Sequence, residues 1–253
     1  MSPSGAPDGE IVLAGGYGHV GERIAERLAP LHPGRVVIAG RDRSRAEAAA
    51  ARVGAGCRGR ELDVGRGEAP EGAAVVVMCL DWPDPSFAAD CLGRGIGYVD
   101  ISADGRILEM IAGLDMTARR SGARGLIDVG LAPGLTNLLA RLLVYRAGDA
   151  GPIESLDLFV LLGAGDAHGP AAIEWTLARF DAEFDVIEDG RPRRVRAQRE
   201  HRRVELPGGR RPAFGVRFDF PEQRSLARTL GVPTVSSWLV TLPPAAARAM
   251  RLG

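Results

Sequence analysis

The sequence predicts an α/β protein: a doubly wound parallel sheet followed by a second, smaller α+β domain. Three observations carry this. From residue 10 to about 147, short apolar, β-branched runs alternate with segments of helical period. A Gly-x-Gly-x-x-Gly pattern, Gly16, Gly18 and Gly21, stands between the first run and the first helix. At Gly148-Asp149-Ala150-Gly151-Pro152 the alternation stops and hairpin signals take over. Two domains are therefore expected, residues 1–150 and 151–253.

The first run, Ile11-Val12-Leu13-Ala14, is apolar throughout, as a strand covered on both faces requires. The helix Val20 to Ala29 follows, with Ile24, Leu28 and Leu31 toward one side. Val36 to Ala39 is the second strand, and Ser44 to Val53 a helix opened by the capping box Ser44-x-x-Glu47. A weak strand is expected near Arg60 to Leu62, and stronger ones at Ala74 to Met78, Gly97 to Ile101 and Gly125 to Val129. Leu131 to Leu143 continues as an apolar helix, for which Pro133 suits the first turn.

Beyond the junction, Leu156 to Val160 reads as a strand, and the loop Gly165 to Pro170 leads to a helix bearing Ile173, Trp175, Thr176 and Leu177. Phe184 to Glu188 turns through Asp189-Gly190 into Arg191 to Arg196 as a hairpin. Arg202 to Leu206 and Phe214 to Phe218 complete an antiparallel sheet, and Pro243 to Arg248 begins a short last helix.

Composition narrows the function. The 32 basic and 32 acidic side chains cancel, so no global field draws nucleic acid or an anionic membrane. The arginines from Arg191 to Arg211 alternate with hairpin signals and few aromatics, which reads as a solvated sheet face. No apolar run reaches the roughly 18 residues of a membrane helix, and MSPSGAPDGE lacks a signal peptide's blocks, so a cytoplasmic protein is expected. Cys57, Cys79 and Cys91 have neither disulfide nor zinc spacing, and no metal site is expected. Every basic residue counted is arginine. Without lysine there is no Walker A motif, no pyridoxal Schiff base and no Tyr-x-x-x-Lys pair: the residues four after Tyr17, Tyr98 and Tyr145 are Gly21, Ser102 and Asp149.

In the run Gly15-Gly16-Tyr17-Gly18-His19-Val20-Gly21, Gly16 suits a tight turn, Gly18 a close approach to a pyrophosphate, and Gly21 close packing of helix on sheet. The helix start then offers N–H groups and a positive dipole end to phosphates. A Rossmann-type nicotinamide dinucleotide domain is expected. After the second strand, Arg41, with Arg43 and Arg45 in reach, points to the 2′-phosphate of NADP; the other reading is NAD, with Asp42 on the ribose. Asp63 after the third strand, and Cys79 and Leu80 after the fourth, are expected beside the cofactor, with Trp82 walling the nicotinamide pocket or filling the core.

The fingerprint, Ala39-Gly40-Arg41-Asp42, Tyr98-Val99-Asp100-Ile101-Ser102 and Gly130-Leu131-Ala132-Pro133-Gly134-Leu135-Thr136-Asn137, in that order, make residues 10 to 147 resemble the saccharopine dehydrogenase (reductase) family. The resemblance implies hydride transfer between a nicotinamide cofactor and an imine or secondary amine, a homodimer, and a cofactor-facing loop at Pro133-Gly134. It also reaches relatives that act as trans-acting enoyl reductases. Family members are usually longer, with a return segment after the substrate domain, and the second half of this sequence departs most from their pattern.

Reduction of a C=N or carbonyl group needs a proton donor, which here must be His, Tyr, Asp, Glu or water. His168 is the candidate from the second domain; Tyr98 and Asp100, closing the fifth strand, are the candidates from the first, to orient substrate or pass a proton. Arg179, Arg217 and Arg224 are candidate anchors for a small substrate bearing a carboxylate. Two alternatives stay open: a non-catalytic NADP-binding, redox-sensing protein, and an enoyl reductase acting on a carrier-bound acyl chain.

Overall fold

A computed structural model describes residues 9–148, 151–163, 170–206, 208 and 212–242. The chain divides into two compact units, Met1–Gly130 and Leu131–Gly253.

In the first unit, β1 (Glu10–Ala14), β2 (Val36–Gly40), β3 (Arg58–Glu61), β4 (Ala73–Met78), β5 (Gly97–Asp100) and β6 (Gly125–Leu126) form one sheet in the order β3-β2-β1-β4-β5-β6. Every pairing is parallel. The helices are α1 (His19–Leu28), α2 (Arg43–Val53), α3 (Ser86–Gly93), α4 (Gly105–Ala112) and α5 (Asp115–Ser121). The apolar runs become strands because both faces are covered: Leu13, Val36 and Ile38 pack with Ala25, Ala46 and Ala49. Val12, Val37 and Val76 pack on the other side with Phe87, Leu92 and Ile107. Burying each such valine, leucine or isoleucine is worth about 1.5–3 kcal/mol.

Two sequence expectations shift here. The last strand stops at Leu126 because Asp128 adopts φ 59°, a left-handed backbone that cannot continue a ladder. Helix α2 starts at Arg43, capped by Asp42, whose Oδ1 accepts the Arg45 N–H at 3.0 Å. Asp42 and Ser44 are both good caps, and the earlier one fits the end of β2; Ser44 instead donates to Asp42 at 2.8 Å, and Glu47 pairs with Arg43.

The second unit begins before the turn-rich junction. Residues 131–135 form an irregular turn, and α6 (Thr136–Ala147) packs within the second unit through Ala140 against Leu156, Leu158 and Leu226. Pro133 precedes this helix and has φ −81°, ψ 158°, so it is not the first-turn residue that its sequence position suits. The remaining elements are β7 (Ser155–Gly163), α7 (Pro170–Ala178), β8 (Glu183–Glu188), β9 (Arg191–Arg196), β10 (His201–Val204), β11 (Ala213–Arg217), α8 (Glu222–Leu230) and β12 (Thr234–Leu242). The order β10-β11-β12-β8-β9 is antiparallel, as expected. β7, however, pairs β12 in parallel from Ser155↔Thr234 to Gly163↔Leu242. That pairing needs a crossover of some seventy residues and a strand that the sequence analysis did not single out.

Candidate dinucleotide site

The glycine run lies at the carboxyl edge of the parallel sheet. The Gly15 N–H donates to Ala39 O at 2.8 Å, the Gly16 N–H to Leu13 O at 3.0 Å and the Gly18 N–H to Gly15 O at 2.9 Å, which folds the chain back into α1. A Cβ on Gly21 would stand 2.7 Å from the Gly16 Cα and 2.9 Å from the Gly15 oxygen, so only glycine lets the first helical turn rest on the loop. Gly18 caps α1 with no side-chain hydrogen bond, and Gly18, His19 and Val20 are exposed. The helix start therefore presents first-turn N–H groups to an incoming anion, the requirement for holding a pyrophosphate. Leu80 lies against Gly15 from the end of β4.

At the end of β2, Arg41 is exposed and forms no ion pair among the described residues. Hydrogen bonds from the Arg45 N–H and the Ser44 hydroxyl hold the Asp42 carboxyl below its usual range, so it stands ionised at the helix start. Arg43 is committed to Glu47 at 2.8 Å. Asp63 caps a short turn, its Oδ1 accepting the Gly65 N–H at 3.0 Å. Trp82 packs beside Gly65, and its buried Nε1 has no hydrogen-bond partner among the described residues.

Cys79 donates its N–H to Ala14 O at 2.9 Å, and its thiol faces Val77 O at 3.8 Å. Burial, helped by the Asp100 charge, pushes that thiol up to about 12, so it is a neutral lining group rather than a nucleophile.

Tyr98 and Asp100 come together, facing inward. They are 2% and 1% exposed, and the phenol donates to Asp100 Oδ2 at 3.0 Å. The other carboxylate oxygen accepts the Ser102 N–H at 2.7 Å. Burial raises the Asp100 carboxyl, Asp128 adds to the rise, and the hydrogen bonds from Ser102 and Tyr98 oppose it. Burial, then the Asp100 charge, lifts the Tyr98 phenol as well. The geometry makes this pair a brace: it fastens the end of β5 to the turn that follows.

In the second unit, the Ala132–Pro133 peptide is cis and Pro133 is buried. The Gly134 N–H donates to Asn137 Oδ1 at 2.9 Å, and Asn137 Nδ2 donates to Ser225 Oγ at 3.0 Å, tying the loop to α8. The three candidate anchors all have companions. Arg179 lies 4.4 Å over the Trp175 ring and Arg224 pairs with Asp219 at 2.8 Å. Arg217, 3% exposed, binds Glu200 and donates to Ser236 Oγ at 3.0 Å, with its guanidinium 4.5 Å over Trp238. Trp238 Nε1 in turn donates to Asp157 at 2.8 Å. Asp157, Glu200, Arg217, Ser236 and Trp238 line a depression of about 420 Å³ on the mixed sheet; Arg179 and Arg224 do not. His168 lies outside the described residues.

No family model and no curated protein matches the sequence. Solved structures do. The apo histidine-tagged saccharopine dehydrogenase (L-Glu forming) of Saccharomyces cerevisiae superposes with a TM-score of 0.64 over 92% of this chain, at 17% identity. The chain is similar in fold to saccharopine dehydrogenase. It spans 55% of that yeast enzyme. The scyllo-inositol dehydrogenase of Lactobacillus casei, solved with NAD(H) and scyllo-inositol, matches with a TM-score of 0.50 over 92% of this chain and 69% of its own, at 10% identity. The fold likeness to saccharopine dehydrogenase agrees with the resemblance drawn from the motifs.

The structure thus places Gly16, Tyr17, Gly18, His19, Val20, Gly21, Arg41, Asp42, Arg43, Asp63, Cys79 and Leu80 after the carboxyl ends of β1 to β4, in the loops there or in the first turns of α1 and α2, within one unit. Pro133 and Gly134 belong to the other unit. The sequence analysis missed the braced arginine–tryptophan network of the mixed sheet. Arg217 was singled out only as a substrate anchor; the further sequence trace is the alternation Ser236-x-Trp238 within β12, and a strand face is polar at that spacing for many reasons. Among the described residues, no group of His, Cys, Asp or Glu is arranged to hold a metal, and no helix is long and apolar enough to cross a membrane.

Proposed function

We propose that the chain is an NADP-dependent oxidoreductase that transfers hydride between the cofactor and a C=N substrate or a related carbonyl. On this reading the first unit binds the dinucleotide. The second unit contributes the substrate site and the contacts of a homodimer, and the protein works in the cytoplasm on a small molecule, carboxylate-bearing in the favoured case. One observation carries the reading: the uncapped start of α1, shaped by Gly21 against Gly16, stands at the carboxyl edge of a sheet ordered β3-β2-β1-β4-β5-β6. The bound cofactor supplies the hydride; the substrate carbon accepts it and the nitrogen takes a proton.

The chain's own groups do the rest. The α1 N–H groups hold pyrophosphate, and Arg41, exposed at the end of β2 with no ion pair among the described residues, favours the 2′-phosphate. The Tyr98–Asp100 brace is closed to solvent, so His168 remains the candidate to deliver the proton. That same closure favours the second reading, an NADP-binding protein without turnover. Titration with NADPH and NADH by fluorescence, followed by an imine screen, tests both. The expected result is tight NADPH binding with oxidation in the presence of a suitable imine; tight binding without turnover supports the second reading, and no binding of either dinucleotide removes both.

A further inference from the structure

Residues 17 and 45 are far apart in sequence, yet the parallel pairing of Ala14 with Ala39 brings the glycine loop to the end of β2. There the phenol end of the Tyr17 ring packs against Gly40: a Cβ at that glycine would stand 2.4 Å from Tyr17 Cε1 and 2.8 Å from both Cζ and the hydroxyl oxygen. The Arg45 guanidinium, from the first turn of α2, sits 4.6 Å over the centre of the same ring. Of the three arginines after β2, Arg43 is neutralised by Glu47, whereas Arg41 and Arg45 form no ion pair among the described residues.

Stacking uses the face of a guanidinium and leaves its edge N–H donors directed outward in one plane. A planar fork of this kind matches two oxygens of a phosphate. Because the ring is seated on a buried strand residue, the long Arg45 side chain is held in one place before any ligand arrives, which lowers the ordering cost of binding.

We propose that Tyr17 and Arg45 form a preorganised clamp for a phosphomonoester, the 2′-phosphate of NADP, in which Arg45 contacts the phosphate and Tyr17 is a positioning residue. Gly40 belongs to the device, since any side chain there would lift the ring. The inference rests on the dinucleotide-binding reading of the first unit and assigns the selection of NADP over NAD to these residues together with Arg41.

The test measures NADPH and NADH affinities by fluorescence, and those of adenosine 2′,5′-bisphosphate and ADP by calorimetry, on the full chain. Arg45→Leu, which keeps an apolar cover over Tyr17, is expected to weaken NADPH and the bisphosphate about tenfold to a hundredfold while leaving NADH and ADP unchanged. Tyr17→Leu is expected to weaken NADPH alone about threefold to tenfold, and Tyr17→Phe to retain wild-type binding, since only the ring is needed. Gly40→Ala, with its fold checked by circular dichroism, is expected to follow Tyr17→Leu.

An NADPH-to-NADH ratio unchanged by Arg45→Leu overturns the clamp, as does a Tyr17→Phe variant as weak as Tyr17→Leu. Wild-type protein that binds both dinucleotides equally defeats the clamp and leaves the dinucleotide reading standing. Wild-type protein that binds neither defeats both.

Discussion

In the first unit the middle of the sheet is apolar and the polar groups that matter stand at its carboxyl edge, whereas in the second a nearly enclosed guanidinium, Arg217, is built into the sheet itself. The difference follows from sheet type. Parallel strands with helices on both faces leave room for charge only where the strands end, so the first unit's candidate anion site is made of backbone and a few strand-end side chains. In the second unit Asp157, Glu200, Arg202 and Arg217 line one depression of the mixed sheet and are paired among themselves. One unit keeps its candidate site on its rim, and the other builds a polar network into its sheet.

The sharpest way to break this comparison is at Gly21. Gly21→Ala forces the backbone of the loop away from α1, and a loss of about 100-fold in NADPH affinity, about 2.7 kcal/mol, is expected by fluorescence titration, with little change in the second unit. Unchanged binding would mean that the rim of the parallel sheet is not the cofactor site.

Next in size is Arg217→Ala, which leaves Glu200 without its buried partner. A loss of about 2 kcal/mol in urea unfolding is expected, below the 3–5 kcal/mol range for fully enclosed pairs because the Glu200 side chain is 35% exposed. Trp238, which lies under that guanidinium, should report the change in its fluorescence.

One shielded carboxyl in each unit gives stability a pH dependence, and the two have opposite signs. Burial raises the Asp100 carboxyl above its ordinary 3.8, so the folded state holds that proton more tightly. Its contribution is complete below the ordinary value and is lost as pH rises through the raised one. Hydrogen bonds from Arg193 and Arg217 hold Glu200 below its ordinary 4.5, so its contribution is present above 4.5 and is lost as pH falls through the lowered value. Asp100→Asn should flatten the alkaline-going limb of a stability profile, and Glu200→Gln the acid-going limb. Tyr98→Phe, which removes one donor from Asp100, should cost about 1 kcal/mol and raise the Asp100 carboxyl further. The smallest effect is expected at Arg43→Ala: because Glu47 already holds that arginine, NADPH affinity should stay within about twofold in the same titration.

Much of the first unit was legible because its signals are local. The runs at residues 11, 36 and 74 are apolar for the whole width of a strand, and the glycines fall between a strand and a helix. Errors arose where two local solutions compete, as Asp42 and Ser44 do for one cap, or where a single left-handed residue, Asp128, ends a strand. The second unit was less legible because its defining contact, β7 beside β12, joins distant segments. The Asn137–Ser225 bond that anchors the glycine-proline loop does the same. A sequence pattern identifies a strand without naming its neighbour.

By itself the sequence determined the fold class, the lysine-free chemistry, the order of the parallel unit's elements and the place of the glycine loop between β1 and α1, because these depend on period, composition and steric demands within a few residues. The tertiary structure alone decided that α6 belongs to the second unit, that Tyr98 and Asp100 brace each other inside the sheet, and that Arg45 rests on Tyr17 while Arg43 does not. Each of those outcomes depends on which strands become neighbours, and strand order is set by burying the faces of the whole sheet at once.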